Sequence, residues 1–424
     1  MKPTRILHVP RRFVAHEWGG TETVLLEIAR QQQRAGCRPE VFTSMALATR
    51  RREEIGGVPV RRFRYSYPFL GLSAADRTAM DKKGGNLLSF SLFGALLAAP
   101  DLRLYHAHAL KRLGGQVRTA ARLRRKPFVA SLHGGVFDVP AAERDQMLRP
   151  IQGKAEWGKF FGALFGSRRL LEDADMVICV GRSEMEQART KLSHDRIAYL
   201  PNGVNCAKFA VGDGEAFRRK HKVTQDAFLV LNVSRIDAQK NQLLLIEAFA
   251  RLRRARANTF LVLIGPETQP DYAAKLREFI AVHDLGGYVR LLPGLRNDDP
   301  DLVNAYQACD LFVLPSRHEP FGIVVLEAWS AGRPVVASAV GGLRGLVRHG
   351  ETGLLFNLDT PDASEALAQT LRRVAEDGAL RRSLAKAGRE EAKSRYDWRE
   401  IHRQLEELYQ RAEAHAERRY RRAP

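Results

Sequence analysis

Cysteine is scarce in this chain of 424 residues: there are four (Cys37, Cys179, Cys206 and Cys309), with no C-x-x-C pair among them. That excludes a disulfide framework and a zinc knuckle, and isolated thiols suit a reducing compartment. Long apolar runs are lacking too. The longest, Leu87 to Ala99, has 13 residues, short of the roughly 20 that a spanning helix requires. It reads as a buried helix or one lying on a membrane surface. Near the N-terminus only Ile6 to Val9 is apolar, a strand and not a signal peptide, so the expectation is a cytoplasmic protein. Hydrophobic residues make up 45% and charged residues 27%, which excludes a disordered chain, a collagen and a multi-span membrane protein. At roughly 100–200 residues per domain, the length predicts two domains.

Negative charge also runs short, with 48 Asp+Glu against 68 Lys+Arg and a net charge of +20. Residues 1–200 hold 34 basic and 19 acidic side chains, whereas residues 201–400 are nearly balanced at 28 and 25. From Leu102 to Phe137 there are eight basic residues and no acidic one. Such a half attracts anions: nucleic acid, acidic lipid headgroups or phosphorylated substrates.

Short β-type runs alternate with amphipathic helical stretches from end to end. The predicted strands are 6–9, 40–43, 58–62, 104–107, 128–132, 176–180 and 197–200 in the first half. In the second they are 228–233, 260–264, 289–292, 311–314, 334–337 and 353–356. Between them, Leu245, Ala248, Phe249 and Leu252 fall on one helical face. This alternation predicts βαβ units with parallel sheets and right-handed crossovers. The series restarts after the turn signal Pro201-Asn202-Gly203. The expectation is an α/β protein of two doubly wound domains facing across a cleft, residues 1–200 and 201–395. Residues 396–424 add an amphipathic helix from Asp397 to Arg411 and a charged tail, Ala412 to Pro424, that frays.

The densest chemistry lies in SRHEPFGIVVLEA (316–328). It places Glu319 in the loop at the carboxyl end of a parallel strand and Glu327 about two turns into the next helix. Ligands of open α/β sheets bind at such ends. The backbone N–H groups of Phe321, Gly322 and Ile323 offer an anion site there. Arg235 and Lys240 stand in the loop after strand 228–233, where fixed cations would neutralise a departing diphosphate without a metal. In the first half, Gly19 and Gly20 precede a helix start after strand 6–9 and present further N–H groups to a phosphate. His133, in His133-Gly134-Gly135, follows strand 128–132, a place for a contact to substrate hydroxyls, although a lone histidine is more often structural. The D-x-D pattern of Asp173 and Asp175 matches a metal-binding motif of some transferases, but it sits directly before a buried strand, where acids commonly close the preceding helix. No metal site is expected.

Together these stretches resemble the family 4 retaining glycosyltransferases of GT-B fold, most strongly over residues 197–360. SRHEPFGIVVLEA resembles the family's E-x7-E motif and VSRIDAQKNQ (233–242) its diphosphate motif. IGPE (264–267), LLPG (291–294), Gly341-Gly342 and GETGLLF (350–356) follow in the family's order, PNGVN (201–205) resembles its interdomain stretch, and the last helix one that crosses back to the first domain. The resemblance implies a nucleotide-sugar donor held by Arg235 and Lys240 with help from Gly19 and Gly20. Glu327 would take the ribose hydroxyls, and Glu319 the donor sugar among the amides of Phe321, Gly322 and Ile323. His133 would lie near that sugar and the base near Pro293, Gly294 and Leu295. It also implies retention of configuration with no metal or other cofactor, and donor and acceptor as the partners. Gly345, preceded by Arg344, stands where many members carry a Glu, so the choice of sugar is open. A UDP-sugar comes first and GDP-mannose second.

The acceptor half matches least. There Arg61 to Phe69 mixes cations with aromatics; with Leu87–Ala99 and Phe160–Phe165 it reads as a surface for anionic membranes on the inner leaflet, which points to a lipid-linked acceptor and to polysaccharide or glycolipid synthesis. Three rival readings compete with this one. A nucleic-acid-binding protein leaves Glu319 and Glu327 without a use. A non-catalytic nucleotide-sugar sensor would bind donor without turnover. A phosphorylase or epimerase of the same fold is the third, but no lysine here announces a pyridoxal cofactor.

Overall fold

The computed structural model describes residues 4–134, 137, 145 and 147–421. The chain divides into two compact units, Met1–Pro201 together with Ile401–Pro424, and Asn202–Glu400.

The first unit is built on a sheet of β1 (Arg5–Val9), β2 (Arg38–Ser44), β3 (Arg52–Ile55), β4 (Val58–Phe63), β5 (Leu102–Ala107), β6 (Phe128–Leu132), β7 (Met176–Cys179) and β8 (Ile197–Tyr199). Their order is β3-β4-β2-β1-β5-β6-β7-β8. The near-continuous apolar runs in β1, β6 and β7 mark strands covered on both faces, as in a parallel sheet. Every ladder is parallel except β3–β4, an antiparallel hairpin absent from the sequence-based expectation. From β1 the chain moves outward to β2, and from β5 it moves the other way to β6. The crossovers therefore diverge between β1 and β5, the switch point where open α/β sheets leave a crevice at the strands' carboxyl ends. In register across it, His8 pairs with His106 and Val9 with Ala107.

The second unit repeats the plan with β9 (Phe228–Val233), β10 (Thr259–Ile264), β11 (Val289–Leu292), β12 (Leu311–Leu314), β13 (Val335–Ser338) and β14 (Leu354–Phe356), in the order β11-β10-β9-β12-β13-β14. Its switch point lies between β9 and β12. The helix Gln242–Ala255 buries Leu245, Ala248, Phe249 and Leu252 completely, the face its periodicity predicts.

The tail departs from expectation. The final helix runs from Trp398 to Arg421, so residues 412–421 continue it and do not fray; residues 422–424 lie outside the described ones. Ala412 and Ala416 are buried, His415 and Arg419 reach the buried Asp175 at 2.7 and 2.9 Å, and Arg103 bonds Glu406 and Glu413. Residues 396–400 belong to the second unit, because Val204 bonds the backbone of Tyr396 and Trp398 and the Trp398 ring lies where a Cβ on Gly203 would be, 2.5 Å away. Among the described residues no helix is long and apolar enough to cross a membrane. The run Leu87–Ala99 folds as the helix Phe90–Ala98, with Leu92 and Leu96 in the core.

Candidate active site

In the second unit the loops after β9 and β12 meet at the switch point and are stitched together. The backbone N–H of Arg317 donates to Gln239 O at 2.8 Å, the Gln239 amide to His318 O at 3.2 Å, and the Asn241 amide to Pro315 O at 3.3 Å. Across this seam Lys240 Nζ donates to Glu319 Oε2 at 2.6 Å, both side chains about nine-tenths buried. Arg235 stays on the rim, 46% exposed and paired with Asp237 at 3.1 Å. The Coulomb attraction of a pair shielded from water is less screened than on the surface, and the seam holds this pair at the carboxyl ends of two central strands.

Gly322 is the N-cap of the helix Ile323–Ser330, at φ 100°, a conformation that favours glycine. The N–H groups of Gly322 and Ile323 belong to the helix start and have no intrahelical partner, and Phe321 immediately precedes them. Behind them Gly341 and Gly342 press on the same loop. A Cβ at Gly341 would stand 2.5 Å from Glu319 O, and one at Gly342 2.1 Å from Pro320 O. The glycine pair therefore sets the position of Glu319, and the Gly342 N–H donates to Glu319 O at 2.8 Å. Gly265 lets the β10 loop approach Ser234 O in the same way. Pro293, Gly294 and Leu295 follow β11, with Gly294 packed on Pro266.

Glu327 lies one helical turn inside, buried, with Oε2 accepting from the Tyr306 hydroxyl at 2.6 Å. Burial raises its pKa, and the Tyr306 bond and the Lys208 charge oppose that. The Tyr306 hydroxyl is held far above its ordinary value by burial and the facing carboxylate, so it remains a donor.

In the first unit Gly20 opens the helix Gly20–Arg34 and Gly19 is its N-cap. The Gly19 N–H does not point to an open phosphate site, because it donates to the side chain of Glu22 in the first helical turn, at 3.1 Å from Oε2. Gly20 retains its place in the first turn. The D-x-D acids are structural: Asp173 pairs with Arg118 and Arg122, and Asp175 accepts from the Phe128 N–H at 2.9 Å.

His133 lies beyond β6, and its Nε2 is 2.8 Å from His108 Nδ1. Gly135 lies outside the described residues. Behind His133 stands a cluster that sequence reasoning missed. His8 Nδ1 is 3.0 Å from His108 Nε2, and His8 Nε2 is 2.8 Å from Gln32 Oε1. His106 lies 2.7 Å from both the Tyr409 hydroxyl and Ser131 Oγ. Ligand atoms of His8, His106 and His108 lie within 4.8 Å of one another, yet all six of their ring nitrogens are occupied by protein partners. The available signal was three histidines at the carboxyl ends of two strands.

Burial holds these rings neutral, lowering His8 and His133 to about 4 and His106 and His108 well below the ordinary 6.5. Between about pH 6.5 and pH 4 the unfolded chain binds more protons than the folded one, so stability falls as pH drops through that window and is fully present above it. For His8 alone the loss at pH 5 is about 2 kcal/mol. Denaturant midpoints at pH 7.5 and 5 are expected to differ, and His8→Gln to shrink the difference. An equal difference in the variant would remove His8 from the account.

Two α/β units built on parallel sheets, each with loops meeting at a switch point, have the GT-B fold, and the comparisons give the family. Residues 213–391 match the model "Glycosyl transferases group 1" and residues 19–203 match "Glycosyl transferase 4-like domain". The D-inositol 3-phosphate glycosyltransferase of Kribbella flavida is 31% identical over 404 residues, 90% of this chain and 88% of that protein. Its namesake from Nocardioides is 28% identical over 415 residues, 93% and 86% of the two chains. HepE from Anabaena, solved with UDP and glucose, superposes with a TM-score of 0.71 at 23% identity, covering 96% of this chain and 99% of its own. Sucrose-phosphate synthase from Thermosynechococcus elongatus gives 0.70 at 23% identity, covering 97% and 99%. The chain belongs to the family 4 glycosyltransferases, enzymes that draw on a nucleotide-sugar donor.

Proposed function

We propose that the protein is a retaining, metal-independent hexosyltransferase that uses a UDP-sugar, with GDP-mannose the second candidate, and delivers the hexose to a hydroxyl of a lipid-linked acceptor in polysaccharide or glycolipid synthesis. The observation that carries the reading is the Lys240–Glu319 pair at the second unit's switch point, with Arg235 in the same loop. Arg235, Lys240 and the amides of Phe321, Gly322 and Ile323 receive the diphosphate. Glu327 takes the ribose hydroxyls, the loop of Pro293, Gly294 and Leu295 borders the base, and Gly20 and the backbone beside Gly19 complete the phosphate contacts. Glu319 and His133 contact the sugar. The C1–O bond to the diphosphate breaks while the acceptor oxygen bonds C1 from the same face. The acceptor's proton passes to the departing phosphate oxygen. Fixed cations stabilise that oxygen, so the chemistry asks for no metal ion or other cofactor.

The first unit is read as the acceptor half and the second as the donor half. In the first unit Phe90 meets Phe161 edge to face at 5.4 Å, and Phe93 meets Phe165 at 5.0 Å. Phe90, Phe160 and Leu164 are more than half exposed. Exposed aromatics in a basic unit favour a peripheral site on anionic membrane at the cytoplasmic face, with no role for nucleic acid. A second reading, a phosphorylated polyol as acceptor, is favoured by the relatives named for D-inositol 3-phosphate and by the same positive charge.

The test is donor hydrolysis over UDP-, GDP- and ADP-sugars, with and without EDTA, measuring released nucleoside diphosphate. Release from one donor, unaffected by EDTA, is the expected result. Inositol phosphate and a polyprenyl-linked sugar then separate the two acceptors. Donor binding without turnover under any acceptor would favour the sensor, and no donor binding would overturn the reading.

A further inference from the structure

The buried histidines of the first unit form a chain with a direction. Gln32 Oε1 can only accept, so His8 donates from Nε2. A neutral imidazole has one N–H, which leaves His8 Nδ1 as an acceptor for His108 Nε2–H. His108 Nδ1 must then accept from His133 Nε2–H. The other end is compatible with the same sense: the Gln32 amide donates to the Tyr409 oxygen at 3.2 Å, which leaves the Tyr409 proton available to His106 Nδ1 and His106 Nε2–H available to Ser131 Oγ, both at 2.7 Å. All four rings are held neutral by burial, so no ring carries two protons to break the sequence. Among the described residues the bond to His108 is the single hydrogen bond of His133.

We propose that Gln32, His8 and His108 are positioning residues that fix His133 in its Nε2–H tautomer and leave the Nδ1 lone pair as an acceptor for a substrate hydroxyl. The tautomer stands on the relay alone; its consequence for transfer rests on the reading that His133 contacts the sugar. The chain reaches from the helix Gly20–Arg34 through β1 and the β5 loop to the β6 loop, so a side chain at the far end of the relay sets which nitrogen of His133 accepts. In the same bonds the lone pairs and protons of the three clustered histidines are matched to protein partners.

Ring nitrogens of selectively ¹⁵N-labelled histidines in the full chain, observed in long-range proton–nitrogen spectra, read the tautomers directly. The expected result is His133 protonated at Nε2 and bare at Nδ1, assigned with His133→Asn. His8→Phe removes the acceptor for His108 Nε2–H and is expected to mix or reverse the His133 signals. A wild-type His133 protonated at Nδ1, or unchanged signals in folded His8→Phe, would overturn the relay. If His8→Phe fails to fold, Gln32→Met gives the same readout from the end of the chain. Donor turnover supplies the second arm. His8→Phe is expected to lower kcat about tenfold in the wild-type background with little change in donor KM, and to have no further effect beside His133→Asn, which cannot tautomerise. Equal losses in both backgrounds would mean structural damage and overturn the positioning role. Intact tautomers in a protein that binds no donor would sink the transferase reading while leaving the relay in place.

Discussion

Lys240→Ala is expected to lower kcat/KM by about 10²–10³-fold, the loss seen when one preorganised donor to developing charge is removed. Negative charge grows on the leaving diphosphate as the C1–O bond breaks. Lys240 is about nine-tenths buried and held by Glu319 at 2.6 Å, so its charge is little screened and needs no reorganisation during reaction. Arg235, 46% exposed and shared with Asp237, is expected to contribute less; Arg235→Ala therefore serves as an internal comparison. Loss of Lys240 also strands the Glu319 carboxylate, which costs stability. The double variant Lys240→Ala/Glu319→Ala separates the two effects. It is expected to recover thermal stability relative to Lys240→Ala while activity stays low. Recovery of activity together with stability would make the pair a structural salt bridge and nothing more. A loss below threefold in the single variant would sink its role in departure.

The strands were legible because β1, β6, β7 and the six strands of the second unit are nearly unbroken apolar runs between turn signals, as doubly covered parallel strands must be. β3 was not, since Arg52-Glu53-Glu54-Ile55 shows no apolar pattern and exists by pairing with β4. The last helix runs past its apolar periodicity because small residues, Ala412 and Ala416, carry its packing where the periodicity rule looks for large ones. At the site, Glu319 and Lys240 are named by their loops at the carboxyl ends of predicted strands, and the glycine pair 341–342 by the family resemblance. That the pair touches Glu319 O, and that Lys240 reaches Glu319, are contacts across β9, β12 and β13 that no local pattern contains. Gly19 shows the converse: the motif is visible in the sequence, but the carboxylate that occupies its N–H depends on where the Glu22 side chain turns. The histidine relay is the extreme case. His8 and His106 lie 98 positions apart and become neighbours only through the β1–β5 register. Gln32 carries no signal until the helix Gly20–Arg34 packs on that sheet.

Glu327→Ala is expected to weaken nucleotide binding by about ten- to a hundredfold, the worth of a hydrogen bond to a charged acceptor. Its carboxylate is buried, with Oε2 held by Tyr306 at 2.6 Å. A fixed acceptor of this kind rejects a ligand that lacks the matching hydroxyl, because the buried oxygen is then left unpaired. The sharper readout is therefore a contrast. Wild-type protein is expected to bind the 2′-deoxy or 3′-deoxy form of its nucleoside diphosphate less tightly than the ribose form, and Glu327→Ala to bind both forms equally. Tyr306→Phe keeps the carboxylate but removes its donor and is expected to fall between, with part of the contrast retained. Glu327→Gln preserves shape and one oxygen, so any loss there measures charge. Binding is read by calorimetry with the nucleoside diphosphate alone, which separates this role from the departure chemistry assigned to Lys240. If the ribose contrast survives unchanged in Glu327→Ala, the residue is a buried partner of Tyr306 and the ribose is held elsewhere.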